Sequence, residues 1–411
     1  MDLAEAKRVL RSEIMFEGCS DSTLVKEIKS QISKAGITPP KGIVPAAGLV
    51  SGIRLQPAEA LHRLALATQP PYPDELIELY QRWAPLRYLG FFAHDKAGRL
   101  VVSDAGREIR GNQRRVTSEE LGIGFAVRIA EDWIRDRGLR PGLIEVVDVD
   151  LLRKQGFLKL HGRKLTVEDD GKHPDYLLIA HVPGSRWPFR LFFLECKGTA
   201  RADYAVRQLA GAVIQLDGIQ IGGAPLPGLA VSTVTSRDTV AYRAVELECD
   251  GVEAAPDDRR VARGNMRTLD DEATFAALRI AWTALADFGG NLRAAAEWAQ
   301  DERHSVPAGG QGPPRRRFGT PYGSGYAWGV ERRTRVNGRT LTIRRGIDGA
   351  VDEELARVNP TGLLDAQSNF AQSLAETEEP PRAAVEPGGR VRITSAGPNG
   401  SILSIIIGPE S

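Results

Sequence analysis

Asp175, Glu195 and Lys197 are the residues of this chain whose types and spacing best suit chemistry. Asp175 opens the apolar run Tyr176-Leu177-Leu178-Ile179-Ala180, and Glu195 and Lys197 close the run Leu191-Phe192-Phe193-Leu194. Between the runs, Val182-Pro183-Gly184-Ser185-Arg186-Trp187-Pro188 is rich in turn formers, so the pattern predicts a β-hairpin. A hairpin sets the start of one strand beside the end of the next and brings Asp175 to Glu195 and Lys197. Side chains alternate across a strand, so Glu195 and Lys197 share one face and Cys196 points to the other. Two carboxylates with few other ligands suit Mg²⁺, which keeps several waters and is completed by substrate phosphate. The bound ion lowers the pKa of a water and offsets charge developing on a phosphodiester. A lysine one pleat away can orient that water and favours the charged transition state. The plain alternative is a strand cap and a solvated edge ion pair.

Pro174-Asp175, a strand-turn-strand spacer and Glu195-x-Lys197 together resemble the signature of the PD-(D/E)XK nuclease superfamily, which includes many restriction endonucleases. The core of that superfamily is a mixed sheet built in the order helix, three strands, helix, strand, and the same order can be read here. Thr117 to Arg137 reads as the first helix and Gly142 to Leu151 as the first strand; the Asp175 and Glu195 strands follow. Arg201 to Leu216 reads as the second helix, with Leu229 to Val234 and Ala241 to Leu247 as the last strands. The resemblance covers residues 115 to 250. It implies an α/β, restriction-endonuclease-like mixed sheet flanked by helices.

The resemblance also implies roles. Asp175, Glu195 and the main-chain carbonyl of Cys196 would hold Mg²⁺, with Mn²⁺ as a substitute, and Lys197 would position the attacking water. The family's first helix often adds an acidic residue. Glu119, Glu120 and Glu131 qualify, and Glu120 is the candidate, although its spacing from Thr117 is equally that of a helix capping box. The second helix often contributes a glutamine, here Gln208, with Gln215 two turns further along the same face. The implied activity is endonucleolytic hydrolysis of DNA leaving 5′-phosphate, in restriction or phage defence. A junction-resolving or repair nuclease, or a DNA-binding or assembly protein that keeps the fold as a scaffold, are the alternatives. DNA is the expected partner, with a second copy of the chain or a defence-system protein beside it.

The elements around this core divide the 411 residues into further units. Residues 1–112 read as a helical module: Leu3 to Ile14, Ser22 to Ala35, Ala58 to Ala67 and a helix from Pro73 through Trp83. A hairpin over Tyr88 to Gly106 follows, turning at Asp95-Lys96-Ala97-Gly98. Helices followed by a glycine-tipped hairpin resemble a winged helix, although Asp74, Glu75 and Glu78 are acidic where phosphate contact needs Lys or Arg. Residues 113–250 are the core, and 251–305 a helical extension with helices to Phe288 and Ala299.

Residues 306–411 begin with a Gly/Pro linker and continue into an arginine-rich hairpin turning at Asn337-Gly338. Arg332, Arg333, Arg335, Arg344 and Arg345 are its candidate nucleic-acid contacts, with Tyr322, Tyr326 and Trp328 among them for stacking. A protein-docking surface is the alternative reading. Gly388 to Pro409 adds two strands around Gly397-Pro398-Asn399-Gly400, and Ile402 to Ile407 is apolar enough to need a pairing partner.

Composition sets limits. A formal net charge of +1 gives no global basic field, so nucleic-acid contact must come from local patches. Three scattered cysteines argue against a disulfide framework or a zinc knuckle. No early apolar run resembles a signal peptide, and no stretch approaches the roughly 20 apolar residues of a membrane span. The expectation is a soluble, cytoplasmic protein.

Overall fold

The computed structural model describes residues 3–68, 87–137, 142–165, 173–186, 188–249, 266–299, 314–336, 338–377, 385–386 and 390–410. The chain begins with α1 (Leu3–Arg11), β1 (Ile14–Phe16), β2 (Gly18–Cys19) and α2 (Ser22–Lys34). Asp21 caps α2, its side chain accepting from the Leu24 N–H at 2.8 Å. Next come β3 (Ile43–Val44), β4 (Ile53–Leu55) and α3 (Pro57–Ala67), which opens on a proline at its first turn. The hairpin β5 (Phe92–His94) and β6 (Leu100–Val102) leads into α4 (Asp104–Glu108). The helix expected over Pro73 to Trp83 lies outside the described residues.

The long helix α5 runs Gly111–Asp136, six residues earlier than the expected start at Thr117. Thr117 is therefore internal, and the capping-box reading of Glu120 is corrected. The next strand, β7 (Leu143–Asp148), stops short of Leu151 because the Asp148 side chain accepts from the Asp150 N–H and starts α6 (Val149–Lys154). The short strands β8 (Leu158–Leu160) and β9 (Arg163–Lys164) precede the long hairpin β10 (Tyr176–His181) and β11 (Phe189–Thr199). Then come α7 (Ala205–Leu216), β12 (Ile219–Ile221), β13 (Ala224–Pro225), β14 (Gly228–Thr235), β15 (Val240–Leu247) and β16 (Met266–Arg267).

These strands build a mixed sheet flanked by helices, in the order β2-β15-β14-β11-β10-β7, with β3 added at β15 and β16 at β11. β10 runs antiparallel to both β7 and β11, whereas β14 lies parallel to β11 after the α7 crossover. Strands buried on both faces read as continuous apolar runs, and β10 and β11 are buried almost throughout. Leu177, Leu191 and Phe193 pack with Leu209 and Val213 of α7. Leu178, Phe192 and Leu194 pack on the opposite face with Phe125 and Trp133 of α5. Each such side chain contributes about 1.5–3 kcal/mol on burial.

Described elements of residues 1–112 pack on the central sheet and its helices. β2 and β3 extend the central sheet at β15, α2 packs on α7 and α3 packs on α5. The C-terminal part contains α8 (Glu272–Phe288), α9 (Leu292–Ala299), β17 (Arg316–Gly319), β18 (Tyr326–Val336) and β19 (Arg339–Asp348). It ends with α10 (Gly349–Arg357), α11 (Pro360–Glu376), β20 (Val385–Glu386), β21 (Arg390–Ala396) and β22 (Ser401–Glu410). Its strands make a second, antiparallel sheet in the order β17-β18-β19-β22-β21-β20, so the apolar tail Ile402 to Ile407 finds its partner in β19.

A buried polar seam joins this sheet and α11 to β7 and β10. Glu145 accepts from the side-chain amides of Gln367 at 2.7 Å and Asn399 at 3.1 Å, and His181 Nδ1 lies 2.9 Å from the Ser368 hydroxyl. Among the described residues no helix is long and apolar enough to cross a membrane.

Candidate active site

The antiparallel register of β10 on β11 pairs Tyr176 with Leu194, which sets Asp175 against Glu195 at the open end of the hairpin. The two residues clamp each other. The Asp175 N–H donates to Glu195 Oε2 at 3.0 Å, and the Cys196 N–H donates to Asp175 Oδ2 at 2.7 Å. The Lys197 ammonium donates to Glu195 Oε1. Strand alternation places Glu195 and Lys197 on the α7 face with Leu191 and Phe193, and Cys196 on the α5 face with Phe192 and Leu194. Asp175, Glu195 and Lys197 thus converge as their spacing predicts.

Glu195 is fully buried, while 26 % of the Lys197 side chain stays exposed. Burial, reinforced by the Asp175 carboxylate, pushes Glu195 up to about 8. Burial also raises Asp175, against the pull of Lys197 and the Cys196 N–H. For Lys197, burial would lower the pKa, but Glu195 and Asp175 outweigh it and hold the ammonium above its ordinary value. The Cys196 thiol is driven well up, first by burial and then by the two acids. It is a neutral apolar packer, and only its main-chain carbonyl remains as a ligand.

Crowded carboxyls that burial keeps from ionising are what a divalent cation relieves. Among the described residues no group of three or more His, Cys, Asp and Glu side chains is placed to hold a metal ion. Two carboxylates, Asp175 and Glu195, stand together at this strand end, and a pair of carboxylates is a number that Mg²⁺ can accept while it retains its waters.

The α7 helix holds both ends of the site in place. Gln208 Nε2 donates to the Gly198 carbonyl at 3.1 Å, just beyond Lys197, and its Oε1 accepts from Ser232 at 3.0 Å. Two turns on, Gln215 Nε2 donates to the His173 carbonyl at 3.3 Å, at the entry to β10. Gln208 is thus a positioning residue: it fixes the strand end and makes no bond to the acids. Ser232, its partner, sits opposite Lys197 in the parallel register of β14.

Glu120 is not brought to the pair. Its carboxylate accepts from Arg87 at 3.1 Å and from the Tyr88 hydroxyl, tying α5 to the segment before β5. The acid that does sense Asp175 is Asp148 at the end of β7, raised by burial and then by Asp150 and Asp175. Asp148 pairs with Tyr176 in the antiparallel register, one position from Asp175, and an Asp closing the apolar run of β7 was the sequence signal for it.

The arginine-rich ribbon is split by alternation. Arg345 is 2 % exposed and stacks over Phe288 at 5.7 Å, so its reading as a nucleic-acid contact is corrected: it shares its face with Leu341, Ile343 and Ile347. Arg344 bonds Glu331 at 2.7 Å and lies over Phe318. Arg333 bonds the same carboxylate at 2.8 Å but is exposed, as is Arg335, and Arg332 is partly exposed. Tyr322 is buried, whereas Tyr326 and Trp328 are partly exposed and Tyr326 stacks under Arg317 at 4.0 Å. No family model, no curated protein and no solved structure matches the chain.

Proposed function

We propose that the chain is a metal-dependent nuclease of the PD-(D/E)XK type that hydrolyses phosphodiester bonds of DNA, in restriction or phage defence. The observation that carries this reading is the convergence of Asp175, Glu195 and Lys197 on one strand end, with the two acids held above their ordinary range. Support comes also from the chain order: α5, the meander β7-β10-β11, the α7 crossover and β14 parallel to β11. Mg²⁺ or Mn²⁺, held by Asp175, Glu195 and the Cys196 carbonyl, would supply a water of lowered pKa and offset charge on the phosphodiester. Lys197, whose side chain stays partly exposed, would donate to that water and add a positive charge where negative charge grows on the phosphate. Gln208 and Gln215 keep the strand ends from drifting, which would hold the two acids in place for the ion. Exposed Arg333 and Arg335 would contact the DNA backbone.

One observation favours a second reading, a DNA-binding scaffold without catalysis: both Glu195 oxygens already have donors within the protein. The deciding experiment is incubation of the purified protein with supercoiled and linear DNA, with and without Mg²⁺ or Mn²⁺. Cleavage that needs the cation supports the nuclease. Binding with no cleavage under any of these conditions supports the scaffold.

A further inference from the structure

Tyr204 is the one aromatic ring among the exposed large apolar side chains of the described residues, with 38 % of its surface open. It closes the short 3-10 turn Ala202–Tyr204, five residues after the strand that ends in Lys197, Gly198 and Thr199, and directly before α7. Two guanidinium groups frame the ring: Arg207 at 5.4 Å and Arg201 at 5.9 Å from its centroid. Arg201 is fixed at both ends. Its N–H donates to the Thr199 hydroxyl at 3.1 Å, and its guanidinium forks onto Asp203 at 3.2 and 2.6 Å. Arg207 is exposed, and among the described residues it has no acidic partner. Next to it, Gln208 reaches the Gly198 carbonyl. The ring and its cations are therefore anchored to the same strand end that presents Lys197.

We infer that Tyr204, with Arg201 and Arg207, is a stacking platform for an unpaired base beside the cleaved phosphodiester. The substrate class is then DNA with single-stranded character: a flap, a fork or a frayed end. This deepens the nuclease reading and rests on it for the position of the cleaved bond. In an intact duplex both faces of every base are covered by neighbours, so an exposed ring has nothing to stack on. Where a strand leaves the duplex, base faces open and an aromatic side chain takes them up with little regard to sequence. Arg207, free of acids, is placed to meet the phosphate of the stacked nucleotide. Arg201 is neutralised by Asp203 and serves to hold the ring.

The test uses the full chain in Ca²⁺ and two DNAs of equal length, a blunt duplex and a forked duplex with 2-aminopurine in its unpaired arm. The forked DNA should bind about tenfold or more tighter than the blunt one, with the fluorescence of the probe quenched on binding. Tyr204→Ala should erase both the preference and the quench, while Tyr204→Trp should keep them; Tyr204 is exposed, so these variants should fold. A preference and quench that survive Tyr204→Ala overturn the proposal, as does a wild-type protein that treats the two DNAs alike. Cleavage is read separately with Mg²⁺. Cleavage without fork preference refutes the platform and leaves the nuclease; fork binding without cleavage does the reverse; no DNA binding refutes both.

Discussion

Replacing Glu195 by Gln should make the metal-free protein more stable at alkaline pH, which is unusual for a buried ion-pair residue. Glu195 is fully buried, and burial with the adjacent Asp175 raises its pKa from 4.5 to about 8. Below pH 4.5 both folded and unfolded chains carry the proton. Between 4.5 and 8 the unfolded chain has lost it and the folded chain has not, so stability falls as pH rises through this window. The window is 8 − 4.5 = 3.5 units, and at ~1.4 kcal/mol per unit the loss is on the order of 5 kcal/mol. Gln mimics the neutral acid and cannot ionise. Its amide NH2 must face either the Asp175 N–H or the Lys197 ammonium, donor against donor, so Glu195→Gln should start ~1–3 kcal/mol below wild type at pH 5 and gain up to about 5 kcal/mol on it by pH 9. Urea unfolding in EDTA, followed by tryptophan fluorescence, measures this directly; Trp133, packed on Phe192 behind the site, is a built-in probe. Mg²⁺ should stabilise wild type more at pH 8 than at pH 6, because it needs the ionised acids, and should not stabilise the variant. Parallel stability curves for the two proteins from pH 5 to 9 would refute the reasoning.

Three further outcomes are expected. Glu145, raised by burial from 4.5 to about 7, contributes stability that is present below pH 4.5 and lost as pH rises through 7. Glu145→Gln faces the amides of Gln367 and Asn399 with a donor, so urea unfolding should show a deficit of ~1–3 kcal/mol at pH 5 that shrinks by pH 8. Arg333→Ala with Arg335→Ala should weaken DNA binding and lower its salt slope by about 0.9 per lost phosphate contact, whereas Arg345→Ala should lower the melting temperature through lost packing. Gly198→Ala would drive a methyl group into the Ser118 carbonyl on α5, and thermal melting should report a loss of about 1–3 kcal/mol.

The hairpin of β10 and β11 was legible because apolar runs bounded by Pro and Gly leave few alternatives, and period-two alternation then fixes which of Glu195, Cys196 and Lys197 share a face. Gln208 came from the family resemblance alone and Gln215 from its helical spacing to Gln208; their bonds to main-chain carbonyls were not legible. β2 and β3 were not legible: each has two residues, and they pair with β15, some two hundred residues away in the chain. Such contacts are set by tertiary packing, not by local pattern. The start of α5 was misplaced because Thr117 to Glu120 imitates a cap, while the true start at Gly111 follows Arg110, which makes no side-chain cap bond. Arg345 was misread although the signal was present, since it stands in phase with Ile343 and Ile347. Runs of like charge distract from strand parity.

The central claim is tested most directly by cleavage of one DNA by wild type, Asp175→Ala, Lys197→Ala and Lys197→Arg, each assayed in Mg²⁺ and in Ca²⁺. Wild type should cut in Mg²⁺ and bind with little turnover in Ca²⁺. Asp175→Ala should not cut, and Lys197→Ala should be slower by roughly 10²-fold or more with its DNA affinity retained. Lys197→Arg should not rescue, because a planar guanidinium cannot replace a compact ammonium at that position. Wild-type rates from Asp175→Ala or Lys197→Ala would contradict the assignment of the site.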